Sequence, residues 1–206
     1  MHRKGINKVW FTSDLHFGHT KILSFHDRGY DDIEEHDKAL IEYWNNTVDK
    51  HDTIYILGDL SLHNTDKTRL ILNKLHGNKI LIEGNHDDSS IRNKNYFSFV
   101  KQVHLAVFKK SIFTFLDNDL KIELCHYPLL SWEGKDKGSI MLHGHCHGKI
   151  DKMNDRSNEL RIDVGWDSSF AYHKFVDLEE VYDKMKKIAN TSDFKEYTQN
   201  HMLTSI

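Results

Sequence analysis

Side chains of the kinds that bind metal ions recur in this sequence, each shortly after an apolar run. Carboxylate, amide and imidazole groups supply only oxygen and nitrogen donors, which suit Mn²⁺, Fe²⁺ or Fe³⁺, Zn²⁺ and Ni²⁺ better than Ca²⁺. Seven such residues are too many for one ion, so two ions that share one carboxylate are indicated. The seven residues are Asp14, His16, Asp59, Asn85, His126, His145 and His147.

A pair of such ions would suit chemistry at phosphorus. Two divalent ions about 3.5–4 Å apart stabilise both the attacking and the leaving oxygen of an in-line displacement. The ions bring four positive charges and the aspartates Asp14 and Asp59 bring two negative ones, so with neutral histidines the site would carry about +2. An anionic phosphoryl group would therefore be attracted to it.

The apolar runs that precede these residues predict β-strands. They lie around residues 9–13, 54–57, 79–83, 121–125 and 139–142. Apolar residues at helical spacing predict amphipathic helices over residues 32–48, 67–75 and 178–188. The alternation of strand and helix in the first half is typical of parallel pairing. In such sheets ligands bind outside the carboxyl ends of the strands, which is where the polar residues fall.

The segments between these strands and helices also have predicted structures. Thr20 is expected to cap a short helix. Residues 103–108, 111–116 and 121–125 are predicted to form antiparallel strands joined by short turns. Residues 151–158 are expected to form a polar loop.

Length, charge and cysteine content limit the classes of protein. The 206 residues predict a single domain over residues 1–190, followed by a polar C-terminal tail over residues 191–206. A net charge of −3 with dispersed Lys and Arg disfavours tight binding to duplex nucleic acid. We see no apolar run of about 18 residues that would cross a membrane, no signal peptide, and too few cysteines for a disulfide framework. A cytoplasmic location is therefore expected.

The ordered set of motifs resembles the calcineurin-like metallophosphoesterase superfamily. The motifs are Asp14-Leu15-His16, Gly58-Asp59, Gly84-Asn85-His86-Asp87, His126 and Gly144-His145-Cys146-His147. The segments 14–19 and 160–167 are similar to those of the small single-domain bacterial and phage members. The resemblance implies an α/β fold, a metallophosphoesterase-type four-layer sandwich of two mixed β-sheets flanked by helices.

The resemblance also implies roles for particular residues. It assigns Asp14, His16 and His147 to a first metal ion, and Asn85, His126 and His145 to a second. Asp59 would bridge the two ions. His86 would assist departure of the leaving oxygen as a catalytic residue held by Asp87. The implied cofactors are two divalent metal ions, with Mn²⁺ as the first choice and Fe, Zn²⁺ or Ni²⁺ as alternatives.

Other polar residues receive separate interpretations. His19 and Arg28 are candidate substrate contacts because they follow the first ligands along the chain. Other histidines, including His26 and His173, are interpreted as structural or surface residues. The segment after Gly58-Asp59 lacks the Arg-containing motif of the phosphoprotein phosphatases, so that activity is disfavoured.

The sequence therefore predicts a two-metal-dependent phosphoesterase. Its expected substrate is a small phosphate ester, a phosphodiester or a nucleotide, attacked by a metal-bridging hydroxide. One alternative is a nuclease that acts on single-stranded or short nucleic acid, which would show a steep salt dependence. The other is a noncatalytic metal-binding scaffold for protein interactions. The oligomeric state stays open.

Overall fold

The computed structural model describes residues 7–87, 95–156 and 159–190. Its helices are α1 (Thr20–Phe25), α2 (Ile33–Thr47), α3 (Thr65–Lys74), α4 (Asp151–Arg156) and α5 (Leu178–Ala189). Its strands are β1 (Val9–Thr12), β2 (Thr53–Ile56), β3 (Asn78–Ile82), β4 (Val100–Lys101), β5 (Val103–Phe108), β6 (Leu120–Cys125), β7 (Ile140–His143), β8 (Arg161–Asp163) and β9 (Val176–Asp177). The polar tail predicted for residues 191–206 lies outside the described residues.

The strands form two mixed sheets. The first sheet has the order β4-β3-β2-β1-β9, and the second has the order β5-β6-β7-β8. In the first sheet β9 is antiparallel to β1 and the other pairs are parallel. In the second sheet β5 is antiparallel to β6, while β6, β7 and β8 are parallel. The predicted α/β class with two mixed sheets is confirmed.

Alternation along the strands explains why both faces of the first sheet are covered. Successive side chains of a strand point to opposite faces. In β1, Phe11 joins the apolar core between the two sheets. Its neighbour Trp10 joins the core beneath α2 and α3, which includes Trp44 of α2. The sequence of the strand thus supplies two apolar faces, and the first sheet lies between helices and the second sheet.

The second sheet has its own outer layer. His143 of β7 is fully buried and accepts a hydrogen bond from Asn154 of α4 at 3.0 Å. Arg161 of β8 donates to the Asn154 amide oxygen at 2.9 Å. The layers therefore run helices, sheet, sheet and α4, which is the four-layer order that the resemblance implied. In the described part of the chain no helix is long and apolar enough to cross a membrane.

Three local predictions were wrong. Residues 111–116 form turns rather than a strand, because β5 pairs directly with β6 as far as Phe108 and Leu120 and leaves no place for a strand between them. Residues 151–156 of the expected loop form α4. Thr20 is the first residue of α1 rather than its cap; the N-cap is His19, whose side chain makes no capping bond.

Candidate metal centre

The predicted ligands lie on loops at the carboxyl ends of parallel strands. Asp14, Asp59 and Asn85 follow strands of the first sheet. His126 directly follows β6 and His145 lies two residues beyond β7, both in the second sheet. Strand ends from two packed sheets thus meet in one place, which brings residues far apart in sequence together.

The backbone at this place is strained. A positive φ is uncommon for residues other than glycine and clusters at functional sites. Among the described residues, five predicted ligands have it: Asp14 at 58°, His16 at 54°, Asp59 at 54°, His145 at 67° and His147 at 48°. Hydrogen bonds between the loops support these conformations, since the N–H of Asp14 donates to the Gly58 carbonyl and the N–H of His16 to the Asp59 carbonyl, each at 3.0 Å.

Three of the predicted ligands form a first cluster. The Nε2 atoms of His16 and His147 lie 3.3 Å apart. The Nε2 atom of His147 also lies 3.7 Å from Oδ1 of Asp14. These three residues can present their donor atoms to a single ion.

A second cluster lies beside the first. Nε2 of His126 is 3.1 Å from Oδ1 of Asn85 and 3.2 Å from Nδ1 of His145. Asp59 lies between the clusters, with Oδ2 3.7 Å from His16 Nε2 and Oδ1 3.6 Å from His126 Nε2. One carboxylate therefore offers one oxygen to each cluster.

The chemistry of the donors fits cations. Burial, followed by the neighbouring His147, lowers the pKa of His16 to about 2, so the ring is neutral and has a lone pair to share. Burial raises the pKa of Asp14 well above its ordinary value, and the carboxylates of Asp163 and Asp59 add to this effect. A buried carboxylate loses its hydration, and imidazole nitrogens that face one another have no partner for their lone pairs. Both arrangements cost free energy, and a cation bound between these groups would offset both costs.

Two glycines permit the close approach of the loops. A Cβ atom on Gly84 would lie 2.3 Å from Oδ1 of Asp59. Gly58 has a φ of 92°, and a Cβ there would lie 2.5 Å from Nδ1 of His126. A larger residue at Gly84 would displace the Asp59 carboxylate, and a larger residue at Gly58 would displace the His126 ring.

Contacts on the far side of two histidines fix which nitrogen faces the cluster. Nδ1 of His126 donates to the Leu57 carbonyl at 2.7 Å. Nδ1 of His147 donates to Oδ2 of Asp167 at 2.7 Å. Both rings are therefore oriented with Nε2 free for a cation, an arrangement that commonly accompanies metal-binding histidines.

Arg28 forms an ion pair with Asp167. Its guanidinium donates to both carboxylate oxygens of Asp167, at 3.0 and 2.6 Å, and to the backbone carbonyls of Asp14 and Leu15 at 2.8 Å. Its side chain is 1% exposed. Arg28 therefore positions the metal-binding loop and Asp167, and its contacts give no support to the prediction that it binds substrate.

Asp167 is a site residue that the motifs did not single out. Burial would raise the pKa of Asp167, but hydrogen bonds from His147 and Arg28 outweigh burial and hold that pKa well below its usual range. The carboxylate therefore stays ionised beside His147. The sequence signal was a carboxylate four residues beyond the strand that ends at Asp163, within the stretch 160–167.

Replacing Asp167 by Asn is expected to weaken metal binding by about 10–100-fold, the usual effect of losing such an outer carboxylate. The amide removes the negative charge that orients His147 and that forms an ion pair with Arg28. Titration of the chelator-stripped protein with Mn²⁺ measures the change. The control is Asp183→Asn on the exposed face of α5. Equal affinities in the two variants would contradict this role.

Asp87 contacts the backbone around Asp59. Its carboxylate accepts backbone N–H groups from Asp59 and Gly84 through Oδ2, at 2.9 and 2.8 Å, and from Leu60 through Oδ1 at 2.9 Å. The described contacts thus join Asp87 to two loops of the backbone rather than to the His86 ring. Asp87 therefore positions the backbone around Asp59, and its predicted role in holding His86 stays a prediction.

His86 lies at the front of the two clusters. Its backbone N–H donates to Oδ1 of Asp59 at 2.9 Å. Its Nε2 atom lies 4.0 Å from Oδ2 of Asp59, and its side chain is 46% exposed. The ring is therefore fixed at its base and open to solvent, and a substrate bound at the clusters would be within its reach.

Two further histidines surround the first cluster. The ring of His19 is centred 5.2 Å from that of His16 and 6.4 Å from that of His86. The contact of His19 with substrate stays a prediction. His26 stacks on His147 at 4.6 Å between ring centres. Sequence reasoning placed His26 among the structural or surface histidines, because nothing in its neighbourhood along the chain resembles a motif.

The two-sheet sandwich with carboxylates and imidazoles at its strand ends defines the metallophosphoesterases as a class. This chain belongs to the calcineurin-like phosphoesterase family, which it matches over residues 7–187. Members of the family hydrolyse phosphoesters with metal ions, typically two divalent ions, and the Asp and His clusters of this chain could hold a metal ion.

Related proteins come from phages and an archaeon. The chain is 30% identical to the Gene 66 protein of Mycobacterium phage L5, over 89% of this chain and 96% of the relative. It is 32% identical to the Gene 66 protein of Mycobacterium phage D29, over 89% and 98% of the two chains. An uncharacterised protein of Methanocaldococcus jannaschii is 33% identical over 77% of this chain and 82% of its own length.

A solved structure shares the fold. A protein of unknown function from Aquifex aeolicus superposes with a TM-score of 0.64, over 86% of this chain and 98% of its own. Its sequence identity is 21%, so the likeness concerns the fold alone.

Proposed function

We propose that this protein is a two-metal-dependent hydrolase of a small phosphate ester, a phosphodiester or a nucleotide, with Mn²⁺ as its preferred ion. The observation that carries the proposal is the placement of the Asp59 carboxylate, whose two oxygens lie 3.7 and 3.6 Å from histidines of different clusters. A carboxylate shared in this way is what a binuclear centre requires.

The two clusters support binding of two ions. Asp14, His16 and His147 would hold one ion, and Asn85, His126 and His145 the other. Divalent ions at such a centre supply Lewis-acid chemistry, which activates water and neutralises charge on the phosphoryl oxygens. Nitrogen and oxygen donors without thiolate also support Mn²⁺ over softer ions.

The protein's own residues supply positioning and a proton. The nearly buried Asp14 and Asp59 carboxylates and the neutral His16 ring exclude bulk water from the base of the site. The half-exposed His86 side chain has its Nε2 atom 4.0 Å from Oδ2 of Asp59, where it can donate a proton to the departing alcohol oxygen. Because this scheme uses no nucleophilic side chain, it forms no covalent bond between protein and substrate.

Removal of metal ions is expected to abolish hydrolysis, and Mn²⁺ to restore it. Chelator-stripped protein would be assayed with bis-p-nitrophenyl phosphate and p-nitrophenyl phosphate, before and after Mn²⁺ is added. A preference for the diester would support the phosphodiesterase form of the proposal, and a preference for the monoester would change the substrate class to phosphatase substrates. Hydrolysis that persists without metal, or no hydrolysis when two ions per chain are bound, would contradict the proposal.

A further inference from the structure

Two exposed aromatic rings stand beside the candidate metal centre, one next to each cluster. Tyr127 is 44% exposed and Phe25 is 65% exposed. Single apolar residues on a protein surface are common, and Leu130 is 79% exposed. The position of these two rings relative to the metal-binding histidines is therefore the informative feature, rather than their exposure.

Tyr127 is held by two imidazoles of the second cluster. Its ring centre lies 5.0 Å from that of His126 and 4.8 Å from that of His145, with interplanar angles of 75° and 62°. Edge-to-face contacts of this kind fix an aromatic ring in place. Tyr127 also follows His126 directly and precedes Pro128, which restricts its backbone. The exposed part of the ring is thus preorganised for a ligand at this cluster.

Phe25 stands on the side of the first cluster. It is the last residue of α1, and its ring centre lies 6.4 Å from that of His19 at an interplanar angle of 80°. His19 in turn contacts His16, with the ring centres 5.2 Å apart. Phe25 is therefore separated from the first cluster by a single imidazole, and most of its ring is open to solvent.

We propose that Tyr127 and Phe25 are specificity residues that bind the planar groups on the two ester arms of a phosphodiester, one arm on each side of the metal centre. The inference rests on the proposed function. A phosphorus atom anchored between the clusters would direct the two arms of a diester away from each other, whereas a monoester has one arm to bind. Nucleobases are planar groups of this kind, and they stack on aromatic side chains. The substrate class is thus a short nucleotide diester.

The charge of the protein agrees with a short substrate. A long nucleic acid is bound mainly through a basic track along its phosphates. This chain carries a net charge of −3. Two aromatic side chains around one phosphate site suit a short substrate, which binds mainly through its planar rings rather than through several phosphates.

The test compares two diesters on Mn²⁺-loaded protein. Bis-p-nitrophenyl phosphate has two planar arms, and ethyl p-nitrophenyl phosphate has one. Tyr127→Ala and Phe25→Ala are each expected to raise KM for the first diester about tenfold with kcat unchanged, and only one of them to do so for the second. Tyr127→Phe keeps the ring and should stay within about twofold of the parent. Leu130→Ala, in the same loop, is the matched control. Unchanged KM values in both alanine variants would overturn the inference.

A binding measurement separates this inference from the proposed function. Calorimetry with adenosine 5′-monophosphate and ribose 5-phosphate on the same protein needs no turnover. The nucleotide should bind about tenfold more tightly, and one of the two variants, Tyr127→Ala or Phe25→Ala, should remove the difference, because a monoester has a single arm. A ring preference without hydrolysis of any phosphate ester would overturn the proposed function, while the roles of Tyr127 and Phe25 in binding planar groups would stand. Diester hydrolysis without a ring preference would overturn this inference alone.

Discussion

The Asp59→Asn variant is expected to lose about 10³-fold or more in kcat on bis-p-nitrophenyl phosphate, since several kcal/mol of transition-state stabilisation depends on the metal pair. Asp59 offers Oδ2 to the side of His16 and Oδ1 to the side of His126. An amide keeps the shape of this side chain but replaces one oxygen with an NH₂ group, which cannot bind a cation. The variant should therefore retain at most one tightly bound ion.

Two measurements on that variant identify the cause. Metal content by mass spectrometry reports the loss of an ion, and steady-state kinetics at saturating Mn²⁺ report the loss of rate. Asp66→Asn is the matched control, because Asp66 lies in the first turn of α3 with a side chain 91% exposed. A variant of Asp59 that kept two ions and the parent rate would rule out a shared carboxylate.

The His86→Ala variant is expected to lose about 10²–10⁴-fold in kcat while it binds metal normally, as is typical when a general acid is removed. The His86 side chain stands outside both clusters, 46% exposed, with Nε2 4.0 Å from Asp59 Oδ2. Its backbone N–H, which donates to Asp59, is unaffected by the substitution. The structure of the metal centre should therefore survive the change.

The dependence on the leaving group separates a proton donor from a merely nearby ring. The loss of kcat in His86→Ala should be larger for a diester with an alkyl leaving group than for one with p-nitrophenolate. The better leaving group, p-nitrophenolate, needs less protonation. His51→Ala is the control, since His51 is an exposed histidine at the amino end of β2. An equal loss for both leaving groups would argue against general acid catalysis by His86.

Local patterns in the sequence predicted the parts of the fold that depend on them. The apolar alternation in β1 and β2 and the helical spacing in α2 and α5 are short-range signals. The predicted ligands also follow from order along the chain, because parallel strands place their carboxyl ends at one edge. The structure brings all of these predicted ligands into two adjacent clusters.

Contacts between distant residues explain what the sequence did not predict. Arg28 and Asp167 lie 139 residues apart, and neither has a local pattern that indicates the other. Asp87 is adjacent to His86 in sequence, which suggested that it holds that ring, yet its oxygens accept from the backbone of the neighbouring loop. The polar composition of α4 favoured a loop, and its helix is stabilised by packing of Asn154 against His143. These outcomes depend on tertiary contacts, which override local preference.

The two sheets of the sandwich contribute different ligands, and this has a mechanical consequence. Asp14, Asp59 and Asn85 extend from one sheet, whereas His126, His145 and His147 extend from the other. Bound ions would therefore cross-link the two sheets at one end. At the other end, beside the amino ends of β1 and β2, a cavity of about 1140 Å³ is lined by residues that include Trp10 and Phe115. Loss of the ions would leave the two halves joined by apolar packing and by hydrogen bonds such as that from His126 to the Leu57 carbonyl. Amide hydrogen exchange at the strand ends of both sheets is therefore expected to rise together.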